Sequence, residues 1–324
     1  MRMGVLSYTT RRILQFIPLI LIVSFSVYFL MRLAPGDPIK TIYGMMPGRD
    51  YDPKDVERIR EMYGLNDPIL TQYLRWLWDF LHGNLGFSYK RHTPVAEMIM
   101  WRLANTFKIQ IAGLIISVLL SLVIGVTSAV KQYSKLDEGL MVTSLFLWSV
   151  PNFWFSLMMI FLFSIFLGWF PTHGLQSMPG APYSLSDEIW HLTLPILTLG
   201  LSMTGYFSRL VRSSMLEVLR QDYIVTARSK GLRERVVIYK HALGNAMLPV
   251  VTVLGLYFSM VFSGAAVVES VFAIPGVGSL MVSSVLFRDY STMMGIIMVS
   301  SLATMACILL TDILYSYLDP RIQY

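Results

Sequence analysis

Residues 13–31 read ILQFIPLILIVSFSVYFLM, nineteen positions without a charge between Arg12 and Arg32. A helix needs about 20 apolar residues to cross the hydrocarbon core of a bilayer, so this stretch is long enough to span it. Arg11 and Arg12 ahead of an apolar run also fit the opening of a secretory signal. The run is longer than a signal core, however, and passes into Arg32-Leu33-Ala34-Pro35 without a small-x-small cleavage site. It reads as an anchor that is kept.

Further uncharged windows follow at 109–130, 139–186, 189–208, 242–268 and 290–311. The second of these, 48 residues long, exceeds one helix. It divides at an irregular loop, 168–182, marked by Pro171, Gly174, Pro179, Gly180 and Pro182. What remains is a span at 140–167, with a kink expected at Pro151-Asn152. The windows are apolar on every face, whereas a soluble bundle helix keeps a polar stripe. With 55% hydrophobic and 14% charged residues, the chain lacks the polar skin of a soluble domain. The fold class expected is all-α, a polytopic membrane protein with about six transmembrane helices.

Charge placement gives the orientation, because Lys and Arg accumulate in short cytoplasmic loops. With the amino terminus inside, fourteen Lys and Arg fall on the cytoplasmic side, eight of them between Arg209 and Lys240. The two short outer loops hold only Arg288. The net charge of +6 is therefore a topology signal rather than a nucleic-acid footprint. The expected organisation is a cytoplasmic 1–12, a first span at 13–31, an extracytoplasmic subdomain at 32–106, a core of five spans at 107–320, and a cytoplasmic 321–324. The outer subdomain carries turn formers at Pro35-Gly36-Asp37 and Pro47-Gly48. After Asp52-Pro53, the spacing of Val56, Ile59, Met62 and Tyr63 predicts a short amphipathic helix.

Several chemistries leave no trace. There is no phosphate-cradling Gly-x-x-x-x-Gly-Lys-[Ser/Thr] loop, no pair of histidines four apart, and no Gly-x-Ser-x-Gly elbow. No catalytic residue, metal ligand or cofactor site is read. The lone Cys307 precludes an intrachain disulfide. The middles of the six windows contain none of the titratable groups that ion-coupled pumps place there, so the driving force is expected from another subunit. A passive channel or a membrane-embedded enzyme is the other reading, distinguished by whether an ATPase copurifies.

The most informative segment is the basic loop at 209–245. Asp222 suits a helix N-cap, and Gly231 suits the left-handed position that ends a helix. Between them Tyr223, Ile224 and Ala227 form a small apolar patch, which Arg228, Lys230, Arg233 and Arg235 surround with positive charge. Such a helix fits a groove on a cytosolic partner, or it rests on lipid headgroups. After the fifth span, Pro275, Gly276 and Gly278 interrupt an apolar stretch, so 269–288 is expected to form an outer gate or re-entrant turn.

The stretch Tyr223-Ile-Val-Thr-Ala-Arg-Ser-Lys-Gly231-Leu, followed by Lys240-His-Ala-Leu-Gly-Asn-Ala-Met-Leu-Pro249, resembles the coupling loop of bacterial ABC importer permeases. Where many such loops open on an acidic residue, this chain has Val225, followed by Thr226. Further likeness lies in Arg32-Leu-Ala-Pro-Gly-Asp-Pro38, His82-Gly-Asn-Leu-Gly-Phe-Ser88, Glu269-Ser-Val-Phe-Ala-Ile-Pro-Gly-Val-Gly278, Arg288-Asp-Tyr290 and Asp319-Pro-Arg321. These cover nearly the whole chain, in order. They resemble the permease family for dipeptides, oligopeptides and nickel, in the subunit type with a long first outer loop.

The resemblance implies a type I-like importer fold in a prokaryotic inner membrane, and half of a pathway shared with a second, different permease subunit. It also implies two cytosolic ATPase subunits and an extracytoplasmic solute-binding protein. Asp222, Tyr223, Ile224, Ala227, Arg228, Lys230, Gly231 and Arg235 are then the ATPase-coupling residues. Glu269, Phe272, Pro275, Gly276 and Gly278 form the outer gate or turn. The resemblance favours di- and oligopeptides as solutes, with a nickel chelate or an oligosaccharide as the alternatives.

Overall fold

The computed structural model describes residues 5–33, 53–62, 64, 66–88, 90–178, 180 and 182–318. The turns expected at Pro35-Gly36-Asp37 and Pro47-Gly48, and the closing Asp319-Pro-Arg321, lie outside the described residues. The helices are α1 (Val5–Leu33), α2 (Pro53–Met62), α3 (Ile69–Leu81), α4 (Val95–Val130), α5 (Lys135–Ser149) and α6 (Asn152–Met159). They continue with α7 (Leu185–Val218), α8 (Asp222–Ser229), α9 (Glu234–Ser263), α10 (Ala266–Val271), α11 (Val277–Phe287) and α12 (Tyr290–Leu318). The helix expected after Asp52-Pro53 is α2.

Among the described residues, four helices are long and apolar enough to cross a membrane: α1, α4, α9 and α12. A fifth span results if α5 and α6 count together, although their rods are bent by 103°. The kink expected at Pro151 is thus a full break. Val150 is driven into an extended conformation ahead of the proline, which itself caps α6 without a side-chain bond. The remaining window, 189–208, falls in α7. That helix has the length, at 34 residues, but glycine, serine and threonine lower its apolarity. Its Thr198, Thr204 and Ser208 are buried inside the protein and donate to carbonyls one turn back, as Thr198 does to Leu194 at 2.8 Å. The fifth window also ends early, because the chain breaks at Gly264 (φ +82°) and restarts as α10.

The chain divides into two compact units. One comprises Asn105–Val261 and Val267–Pro275. Within it α7 is the helix on which α5, α6 and α9 pack. Close approach there depends on Gly205, where an added Cβ would meet the Ser144 carbonyl and, at 2.7 Å, the Trp148 amide. The adjacent Ser208 hydroxyl donates to Ser144 at 2.8 Å. The other unit comprises the described residues up to Ala104, Phe262–Ala266 and those from Gly276 onward. In it α1 packs on α12 and α3, and Val95 and Ile99 at the start of α4 pack with Val277, Leu280 and Ile296.

Candidate functional site

The segment between α7 and α9 folds as the sequence predicts, with a shift of one residue at its start. Gln221, not Asp222, is the N-cap of α8, and no side chain caps it. Asp222 lies in the first turn, where its carboxylate complements the helix dipole. Lys230 is the C-cap, and Gly231 follows at φ +75°, a conformation that disfavours any residue with a Cβ. Nothing lies within 4 Å of where that Cβ would be, so the glycine is required by the turn alone. Arg228 donates to Glu234 across this turn, at 2.8 and 3.3 Å, and so joins the end of α8 to the start of α9.

The apolar patch differs from expectation. Ile224 and Ala227 are buried in the chain's own core with Met215, Val237, Ile238 and Ala242. They anchor α8 and offer nothing to a partner. At three- to four-residue spacing, two apolar side chains on one face belong to the same contact, and here that contact is internal. The outward face is Asp222, Val225, Thr226, Ser229 and Leu232, with Val225 53% exposed and Leu232 40%. Tyr223 is exposed as well, its hydroxyl accepting from Asn245 at 2.9 Å. Arg228, Lys230, Arg233 and Arg235 are exposed around this face. The start of α9 is widened into a π-helical stretch, Val237–Ala242, a form common at functional sites.

A polar knot that sequence reasoning passed over lies in the same unit. Arg212 on α7 donates to both oxygens of Asp137 on α5, from Nε at 2.8 Å and Nη2 at 2.7 Å. Asp137 is nearly inaccessible to solvent. It also accepts from the Ser128 hydroxyl near the end of α4, and from the Tyr133 amide at 3.0 Å. Several polar partners therefore satisfy one buried carboxylate, as burial of a charge requires. Arg209, one turn earlier, lies over the Trp148 ring at 4.4 Å. In the sequence these arginines were indistinguishable from topology charges.

The expected gate residues are packed rather than loose. Glu269 on α10 is fully buried, and its Oε1 accepts from the Thr106 hydroxyl at 2.9 Å. Asn105, next to Thr106 on α4, donates to the Pro275 carbonyl at 3.1 Å. Phe272 is buried, and its carbonyl accepts from the Gly174 amide at 2.9 Å. The reversal at the end of α10 runs through Ala273 at φ +50°. Gly276, by contrast, is in extended backbone at the N-cap of α11, and its amide donates to Ser279 Oγ at 3.1 Å. Gly278 is buried in the first turn of α11. Asp289, between α11 and α12, accepts from the Ser88 and Thr292 hydroxyls, the latter at 2.8 Å.

A family model described as "Binding-protein-dependent transport system inner membrane component" matches residues 121–324, and the corresponding N-terminal model matches residues 5–110. The chain belongs to the family of binding-protein-dependent ABC importer permeases. It is 42% identical over 323 residues, 98% of this chain and 99% of the relative, to the oligopeptide transport system permease protein AppB of Bacillus subtilis. It is 36% identical over 319 residues, again 98% and 99%, to the glutathione transport system permease protein GsiC of Pectobacterium atrosepticum. The permease is a multi-pass membrane subunit of a transporter and not itself an enzyme. Its importer includes an ATPase and a substrate-binding protein.

Proposed function

We propose that this permease imports peptides, pairing with a second, different permease subunit over two ATPase subunits, with both its termini in the cytoplasm. The observation that carries the coupling part is α8. Two of its side chains, Ile224 and Ala227, lock it into the unit that contains α5, α7 and α9, while Val225 and Leu232 stay exposed at the centre of a basic rim. A helix so anchored transmits a push as a rigid lever. Closure of the ATPase pair then moves α8, and α7 and α9, which flank it in the chain, move with it between inward-open and outward-open states. The segment at 269–288 serves as the outer gate or as a re-entrant turn beside it.

Peptides are favoured as solutes because relatives aligned along nearly the whole chain carry peptide and glutathione transport in their names. The test is uptake into vesicles holding the full complex, supplied with its binding protein and ATP. Labelled di- and oligopeptides should accumulate. Accumulation of a nickel chelate or an oligosaccharide instead would overturn the solute assignment. Purification of a complex with two copies of this chain and no second permease would overturn the pairing.

A further inference from the structure

The segment between α1 and α4 was expected to lie outside the bilayer, yet α3 carries four large apolar side chains on one exposed stripe. Leu70, Leu74, Trp78 and Leu81 recur at spacings of four, four and three, and are 59%, 54%, 64% and 70% exposed. One helical face therefore presents an unbroken apolar surface. We infer that α3 is sunk into the acyl-chain region of one leaflet, with this stripe against lipid.

The depth follows from what α3 touches. The Tyr73 hydroxyl on its inner face is 2.9 Å from Ser24 Oγ of α1, and the Tyr73 ring meets Phe25 edge-on at 5.3 Å. Trp76 lies against Tyr28. Ser24 is nine residues before the end of α1 at Leu33, about 13 Å along the axis at the helical rise per residue. Contact at Ser24 thus places Tyr73 beside the membrane-crossing part of α1 and not above it. Phe25 and Phe29 are themselves exposed on α1, so the lipid-facing surface of that span continues onto α3.

The opposite face of α3 has the opposite character. Gln72, Arg75 and Asp79 line a cavity of about 500 Å³ with Arg32, Ser88 and His92. A helix with lipid on one side and, on the other, a cavity to which it contributes polar side chains accounts for both sets of residues. The backbone makes the position tenable. Its groups bond within the helix, its first turn opens on Pro68, and the Gln72 side-chain amide donates to the Asp67 carbonyl at 2.6 Å.

The test uses the assembled importer in liposomes made with a phospholipid bearing a diazirine on its acyl chain. After photolysis, lipid adducts are mapped by mass spectrometry on the unmodified chain. Adducts on Leu70, Leu74, Trp78 or Leu81, at a yield like that on Phe29 and Leu30 of α1, are the expected result. Adducts on α1 with none on α3 would overturn the inference. A second measurement identifies what covers the stripe instead. Nitroxides are placed through Leu74→Cys and Trp78→Cys in a Cys307→Ser background, Cys307 being the only cysteine. Collision with oxygen but not with a water-soluble nickel chelate is expected. Access of the chelate would mean that the stripe faces water. Exclusion of both probes would mean that a protein partner covers it.

Discussion

Arg212 holds Asp137 with two nitrogens at 2.7 and 2.8 Å, tying the C-terminal turns of α7 to the first turn of α5. Removing one member of a buried pair strands the other, at a cost of about 3–5 kcal/mol. Arg212→Gln should therefore lower thermal stability sharply. Asp137→Asn together with Arg212→Gln should cost less than the sum of the two single changes. Calorimetric unfolding of the four purified proteins in one detergent measures the coupling; additive losses would mean that the pair contributes nothing as a pair.

Ala227 faces the core of its own unit, so a bulky residue there acts inside the permease. Ala227→Trp should destabilise the chain by about 1–3 kcal/mol, the usual result of overpacking. Lower yield and an earlier melt should appear even with no ATPase present. An unchanged melt would mean that the helix accommodates the ring by swinging outward.

Gly231 tests the turn without a packing term, since its added Cβ would meet nothing. At φ +75°, Gly231→Ala should cost about 1–2 kcal/mol of backbone strain, with ATPase retention reduced and the fold intact. Gly231→Asn, which tolerates the left-handed region better, should restore most of the loss. Equal effects of Ala and Asn would exclude a conformational origin.

How much of this was readable in the sequence depends on what carries the information. Uncharged windows located α1, α4, α9 and α12, because a bilayer imposes length and apolarity on each span separately. The same criterion overran at Gly264 and flattened the break at Pro151, since hydropathy is blind to backbone direction. Gly231 was legible from its neighbours. The inward turn of Ile224 and Ala227 was not, because their partners, such as Met215 and Val237, come from other helices. Arg212 and Asp137 are 75 residues apart, and nothing local to either marks the pair.

Thr106 and Glu269 join α4 to α10 inside one unit. Thr106→Val keeps the shape and removes one donor to a buried carboxylate, which typically costs about 1–3 kcal/mol. The expected readout is a lower melting temperature, with transport falling as α10 loosens. Thr106→Ser, which keeps the hydroxyl, should stay near the unmodified protein; a loss as large as that of valine would point to the methyl group instead.

The claim that most of the mechanism depends on is that the outward face of α8 receives the ATPase. Val225 is exposed at its centre and lies outside the buried cluster to which Ala227 belongs. The decisive measurement is ATPase retention by Val225→Trp permease in the purified complex, with peptide-stimulated hydrolysis recorded on the same sample. The melting temperature of the isolated permease should be unchanged, while retention falls about 5- to 150-fold, the equivalent of roughly 1–3 kcal/mol lost at a tight contact. Full retention and full stimulation in that variant would contradict the account, and α8 would then be a structural turn between α7 and α9.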